Sequence, residues 1–207
     1  ILKRIAMKNI LFTLALLISF NLFSQSNSEL RSTFSNDLNK FFQFTVDRDY
    51  NKLFDLMNPG MFNLASREQL AQVFEMTFDE KVSGMKFDFG APIITNISDR
   101  FDYEGYKYFM IYYSSTMEIQ ILSEEYISNI ENLKFGFENQ FSEISDSFEL
   151  DSKTNTFIIK GLKQSMIAST KSNLDNWKYI EYKTDAQTLA MLTQIIPVEV
   201  MEKLTKQ

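Results

Sequence analysis

Carboxylates that stand beside aromatic residues are the side chains of this sequence best suited to chemistry. Glu181 shares one face of the alternating segment 176–183 with Trp177 and Tyr179. A carboxylate enclosed by apolar groups has a raised pKa and can act as a general acid or base. Asp88 is less well placed, because alternation puts it opposite its two phenylalanine neighbours. Glu181 is therefore a weak catalytic candidate. The alternative, that both are surface acids beside core aromatics, stays open.

One motif in the sequence has the form of a catalytic nucleophile. Ser83-Gly-Met-Lys86 matches S-x-x-K, the motif of penicillin-recognising enzymes. That chemistry needs the serine and the lysine one helical turn apart on a helix. Here the motif runs into the alternating segment 85–89, which predicts a strand and points the two side chains to opposite faces. The companion K-T-G is missing as well. We therefore interpret the match as chance.

The composition excludes most other catalytic and metal sites. The 207 residues include no histidine, no cysteine and only six glycines. Without imidazole or thiol groups there is no Ser-His-Asp triad, Cys-His dyad, thiolate zinc site or disulfide. So few glycines leave no phosphate-binding loop. Residues 151–155 have Lys153 where a calcium ligand would stand, so they predict a turn. We predict no bound metal and no cofactor.

The N-terminus has the pattern of an export signal. Residues 1–9 carry three basic residues and no acid, and residues 10–23 form a mostly apolar run. Small and polar residues follow from Ser24 onwards. This order predicts a secretory signal peptide over residues 1–24, cleaved near Ser24. The apolar run spans 14 residues, whereas a membrane-spanning helix needs about 20. An uncleaved membrane anchor is therefore the less favoured alternative.

The remaining chain, residues 25–207, is predicted to form a single acidic domain. It has 18 Lys and Arg against 27 Asp and Glu, a formal charge of −9. An acidic surface repels phosphate backbones and anionic membranes, so we expect neither nucleic acid nor a membrane as partner after cleavage. We expect a soluble protein, periplasmic or secreted, whose core is large enough to need no disulfides.

The spacing of apolar residues predicts the elements that position these side chains. Spacings of three and four predict helices over residues 28–47, 49–57, 66–78 and 124–142, and a helical tail over 185–204. Alternation predicts strands over residues 85–89, 93–101, 106–122, 144–150, 155–160, 164–170 and 176–183. Helices segregated from short, turn-linked strands indicate an α+β fold with a mainly antiparallel sheet. Residues 106–113 are apolar on both faces, which predicts a central strand.

Two stretches resemble NTF2-like domains. Asp49-Tyr-Asn-Lys-Leu-Phe-Asp-Leu-Met-Asn-Pro-Gly-Met-Phe62 is similar to their second helix and following turn, and Trp177-Lys-Tyr-Ile180 is similar to the start of their last strand. The order of elements, N-terminal helices followed by a curved sheet, is similar over roughly residues 30–183. The helix at 124–142 and the helical tail depart from the minimal pattern. The resemblance implies a cone-shaped fold whose sheet wraps a pocket beside the first helix.

The resemblance leaves several function classes open, because the family includes isomerases, dehydratases, ligand carriers and structural modules. We predict a non-catalytic module that binds an apolar small ligand or an envelope partner, with Tyr108, Tyr112, Trp177 and Tyr179 as ligand-binding residues. One alternative is a histidine-free isomerase or dehydratase in which a buried Glu181 works with the Tyr108 and Tyr112 hydroxyls. Another is a structural homodimer formed through the sheet. A solid, phenylalanine-rich core without a pocket also stays open.

Overall fold

The computed structural model describes residues 28–171 and 176–206. The chain divides into two compact units, Ile1–Asn36 and Asp37–Gln207. Residues 28–46 are helical, as predicted, and the part that belongs to the second unit, residues 37–46, is called α1. The predicted signal peptide over residues 1–24 lies outside the described residues. Across the described residues, no helix is both long enough and apolar enough to cross a membrane.

Helices precede, interrupt and follow the sheet of the second unit. After α1 they are α2 (Tyr50–Leu56), the 3₁₀ helix η1 (Pro59–Asn63), α3 (Arg67–Phe78), α4 (Glu80–Ser83), α5 (Glu124–Ser128), α6 (Ile130–Phe141), α7 (Ala186–Leu192) and α8 (Val198–Leu204). A capping box starts α3: the Ser66 hydroxyl accepts from the Gln69 N–H, and the Gln69 side chain accepts from the Ser66 N–H. Asp185 caps α7 by accepting from the Thr188 N–H.

Seven antiparallel strands of the described chain form one curved, open sheet. They are β1 (Met85–Phe89), β2 (Ile93–Ile97), β3 (Phe101–Tyr103), β4 (Tyr106–Ile121), β5 (Ser147–Asp151), β6 (Thr156–Thr170) and β7 (Lys178–Tyr182). One edge of β4 pairs with β1, β2 and β3, and its other edge pairs with β6. The far edge of β6 pairs with β5 and β7. The α+β class and the central position of β4 are therefore confirmed.

The two faces of the sheet pack against different helices. One face carries Tyr108 and Met110, which form a core with residues of α7 and α8. We call it the tail face. The opposite face carries Tyr113, Met166 and Tyr179 and is covered by α1, α3 and α6. We call it the cavity face. Helices of the second unit thus cover the 106–113 region of β4 on both sides.

β6 is one continuous strand, whereas the sequence analysis predicts two strands separated by a turn. Ser115 pairs with Leu162 while Met117 pairs with Ile159, so β6 contains one extra residue between these pairs. Gly161 lies in this bulge with a φ of 63°, a conformation that other residues rarely adopt. The bulge changes the alternation, so that Ile159 and Leu162 enter the same core.

Two other predicted elements are divided. The helix predicted over residues 124–142 breaks at Asn129, whose φ of −117° and ψ of 24° are not helical, and this separates α5 from α6. The strand predicted over residues 93–101 divides into β2 and β3. Between them the Ser98 hydroxyl, not a backbone carbonyl, accepts from the Met110 N–H at 2.8 Å. This side-chain bond replaces a rung of the backbone ladder and interrupts the strand.

Candidate functional site

A cavity of about 650 Å³ lies between the cavity face of the sheet and the helices that cover it. Its wall is mostly apolar and includes eight phenylalanines: Phe41, Phe42, Phe74, Phe78, Phe87, Phe89, Phe137 and Phe141. Methionines contribute further: Met57, Met61, Met117, Met166 and Met191. Several local features turn these side chains toward one space. They are the alternation of side chains in β1 and β4, the spacing of four along α3, and the bulge in β6.

Contacts between aromatic rings hold this wall together. The rings of Phe42 and Phe89 stack with their centroids 5.2 Å apart. Phe78 meets Phe87 edge to face, also at 5.2 Å, and Phe42 lies 6.1 Å from Tyr113. Such pairs contribute about 0.5–1.5 kcal/mol each beyond the burial of their area. They therefore fix α1 and α3 against strands β1 and β4.

Two opposite charges lie at the mouth of the cavity. Among the described residues that line it, Glu181 is the only acid and Lys183 the only cation. Lys183 Nζ lies 3.1 Å from Glu181 Oε1, so the two form an ion pair, which we call the mouth pair. Their side chains are 57% and 44% exposed for Lys183 and Glu181 respectively. The carboxylate is thus on the cavity face but hydrated and paired.

The amide of Gln164 lies beside the mouth pair. Ser165 pairs with Tyr182 across β6 and β7, which places the preceding Gln164 next to Lys183. The Ser115 hydroxyl donates to Gln164 Oε1 at 3.0 Å and fixes the orientation of this amide. Within the described part of the chain, the Gln164 amide nitrogen donates no hydrogen bond. The mouth therefore offers an N–H donor next to a paired ammonium and carboxylate.

Two buried tyrosines face the cavity as neutral hydroxyls. The Tyr179 hydroxyl donates a 2.7 Å hydrogen bond to Asp37 Oδ2. Burial, followed by the negative charge of Asp37, raises the pKa of Tyr179 far above its ordinary value. Burial likewise raises the pKa of Tyr113, and the Glu181 carboxylate adds to this rise. Neither tyrosine ionises near neutral pH, so both can donate hydrogen bonds but cannot serve as bases.

The structure brings Tyr179 and Glu181 to the cavity but not Tyr108 and Tyr112. Tyr108 pairs with Ser169 across β4 and β6 and lies on the tail face. Tyr112, four positions further along β4, packs against the same core. The enzyme hypothesis needs these two hydroxyls beside Glu181. The strand register instead puts the sheet between the two hydroxyls and Glu181. Tyr108 instead lines a second depression of about 570 Å³, together with Lys178.

Trp177 lies outside the wall of the cavity. It is buried, and its ring meets Phe109 edge to face with centroids 5.6 Å apart. Besides the Tyr179 hydroxyl, that of Tyr113 shares the face of Glu181, and the sequence analysis did not select Tyr113. Alternation puts Tyr112 and Tyr113 on opposite sides of the sheet. It does not indicate which of the two lies on the same side as Glu181.

The S-x-x-K motif does not form a nucleophile site. Ser83 is the last residue of α4, and its Oγ lies 3.0 Å from the carbonyl oxygens of Asp79 and Met85. Lys86 lies on β1 and is exposed, as is Asp88. The two motif residues are therefore not one helical turn apart. In the described ranges, no three acidic side chains are grouped in a way that could hold a metal ion.

No protein-family model, curated protein or solved structure matches this chain. The NTF2-like resemblance therefore stays a prediction.

Proposed function

We propose that the protein is a non-catalytic binding module that holds an apolar small molecule between the sheet and its helices. The observation that carries the proposal is the 650 Å³ cavity whose wall is mostly apolar, with eight phenylalanines and five methionines, and whose charged residues are Glu181 and Lys183 at the mouth among the described residues. Ligand pockets commonly span about 300–1,000 Å³ and combine apolar walls with a few polar groups. Methionine and aromatic side chains also adapt to ligands of different shape.

The proposal extends to the setting in which the module works. Residues 1–24 have the order of an export signal, so we propose that the domain acts in the periplasm or outside the cell. We also propose an NTF2-like topology, which is compatible with helices packed on a curved antiparallel sheet. Homodimerisation through the sheet stays a prediction. Helices of the same unit already cover both sides of β4 at residues 106–113.

Native mass spectrometry of the exported protein, combined with binding of the uncharged fluorophore phenylnaphthylamine, tests the ligand-binding proposal. We expect a co-purified small molecule or a saturable rise in probe fluorescence. Met166→Trp should abolish probe binding, because Met166 is buried and lines the cavity. Met76→Trp is the matched control, since Met76 is 68% exposed on α3. Absence of both a co-purified ligand and probe binding would contradict the proposal, as would equal binding by the two variants.

A proton-transfer enzyme is the second candidate, because Glu181 and Tyr113 face one cavity and Tyr113 keeps its proton. In this alternative Glu181 is the base and the Tyr113 hydroxyl stabilises the developing oxyanion. Carbonyl compounds that displace the fluorophore can be tested for exchange of their α-protons in deuterated water. Exchange that Glu181→Gln eliminates would support the enzyme. Exchange that is absent, or unaffected by this variant, would contradict it.

A further inference from the structure

We propose that the cavity takes an uncharged amphiphile: a molecule with one apolar chain among the phenylalanines and a neutral polar head at the mouth. This inference rests on the proposed function and specifies the class of ligand. It is carried by three observations: the mostly apolar wall of the cavity, the closed ion pair at its mouth, and the amide beside that pair.

Most of the described residues that line the cavity are apolar, and two of its threonine hydroxyls already have partners. Thr45 Oγ1 donates to the Phe41 carbonyl at 2.8 Å, and Thr77 Oγ1 donates to the Val73 carbonyl at 3.0 Å. Both hydroxyls are therefore engaged within their own helices. A polar or charged ligand group placed among the phenylalanines would lose its hydration, and the Tyr113 hydroxyl would be one of the few partners it could gain there. The interior consequently favours an apolar chain.

The mouth pair works against a charged head of either sign. Lys183 and Glu181 are already joined at 3.1 Å, two positions apart in the chain. An anionic head that approaches Lys183 must come within a few ångströms of the Glu181 carboxylate, and a cationic head meets Lys183 in the same way. Either head would have to replace an ion pair that exists without it. The mouth therefore gives a charged ligand little net electrostatic attraction.

A neutral head with a hydroxyl or amide group fits these same residues. It can donate to the Glu181 carboxylate while it accepts from the Gln164 amide or from Lys183. Gln164 is suited to this role because Ser115 holds its oxygen and thereby orients its nitrogen. A head of this kind adds hydrogen bonds to the mouth pair and leaves the ion pair in place.

The test compares three amphiphiles with the same chain and different head charge, by displacement of phenylnaphthylamine from the full chain. They are monolauroylglycerol, laurate and dodecylamine. We expect monolauroylglycerol to bind the unaltered protein about tenfold more tightly than the other two. Glu181→Gln leaves Lys183 without its counter-charge and should strengthen laurate binding about tenfold, with monolauroylglycerol little changed. Lys183→Gln should strengthen dodecylamine binding instead.

Two further variants serve as controls. The double variant Glu181→Gln, Lys183→Gln removes both charges and should restore the preference for the neutral head. Glu149→Gln makes the same change in net charge as Glu181→Gln but in an exposed pair with Lys160, at 3.7 Å on β5 and β6. It should leave the order of the three ligands unchanged.

The outcomes distinguish a wrong ligand class from a failure of the proposed binding function. If laurate or dodecylamine binds the unaltered protein most tightly, the ligand class is overturned while the binding module stands. The same conclusion follows if Glu181→Gln affects laurate no more than Glu149→Gln does. If Met166→Trp leaves monolauroylglycerol binding intact, the molecule binds elsewhere and the inference is overturned. If neither the fluorophore nor any amphiphile binds, the proposed function itself fails.

Discussion

The hydroxyl of Tyr179 donates a 2.7 Å hydrogen bond to Asp37, a residue 142 positions earlier in the chain. The other carboxylate oxygen of Asp37 accepts from Lys40 at 3.0 Å, and the Asp37 side chain is only 15% exposed. The bond joins β7 to α1 and thereby links two walls of the cavity. It gives Tyr179, predicted from the sequence as a ligand-binding residue, a structural role in shaping the cavity.

Replacing Tyr179 with phenylalanine removes this bond and leaves a largely buried carboxylate with one partner. We expect the free energy of unfolding to fall by about 1.5–3 kcal/mol, the usual range for a hydrogen bond to a charged group. Urea denaturation measures the change. Tyr106→Phe is the control, because Tyr106 is 38% exposed and should change the stability by less than about 0.5 kcal/mol. Equal effects of the two variants would refute the assigned role.

The buried tyrosines predict a loss of stability at alkaline pH. The pKa values of Tyr113 and Tyr179 are raised in the folded protein, whereas in the unfolded chain they lie near 10. Above that pH the folded state binds more protons than the unfolded state, so stability falls as pH rises. Below about pH 10 the contribution is fully present. Each tyrosine can account for up to about 1.4 kcal/mol per pH unit.

Tyr113→Phe should therefore reduce the alkaline loss of stability. Urea midpoints measured from about pH 8 to about pH 11 would show a shallower decline for Tyr113→Phe than for the unaltered protein. Parallel curves for Tyr113→Phe and the unaltered protein would contradict the prediction.

Two glycine-to-alanine changes should have opposite effects. Gly161 has a φ of 63°, and a Cβ atom there would lie 2.9 Å from Cβ of Asp146. Gly161→Ala should lower stability by about 1–2 kcal/mol because of the left-handed backbone alone. Gly136 lies within α6, where a Cβ atom meets nothing within 4 Å. Gly136→Ala should raise stability by about 0.8–1 kcal/mol. Thermal unfolding measures both changes in stability. If the two variants changed stability in the same direction, the left-handed conformation assigned to Gly161 in the bulge would be contradicted.

The capping box of α3 should contribute measurably to stability. Ser66→Ala removes the acceptor for the Gln69 N–H, and we expect a loss of about 1 kcal/mol. Ser123→Ala is the matched control, since Ser123 precedes α5 without a side-chain capping bond. It should change the unfolding free energy by less than about 0.5 kcal/mol. If both variants lose the same amount, the capping bond is not the cause.

Local patterns predict most of the elements correctly. Spacings of three and four identify the helices other than the short η1 and α4, and the Ser66 capping box and the turn at Glu104-Gly105 mark element ends as they occur. Two of the errors arise where the pairing of distant strands decides the local structure. Ser98 interrupts a strand through its hydrogen bond to Met110, and Gly161 continues a strand as a bulge. The residues next to Ser98 and Gly161 in the sequence do not indicate that Met110 bonds to Ser98 or that β4 pairs on both sides of Gly161.

The sequence by itself determined which chemistry is absent, the acidic charge, the order of helices and strands, and the candidacy of Glu181 and Tyr179 for a pocket. Only the tertiary structure decided which residues join them. Side chains alternate with a period of two, so a strand read alone has two equivalent faces, and strand pairing chooses between them. The register of β4, β6 and β7 placed Tyr113 on the face of Glu181 and placed Tyr108 and Tyr112 behind the sheet.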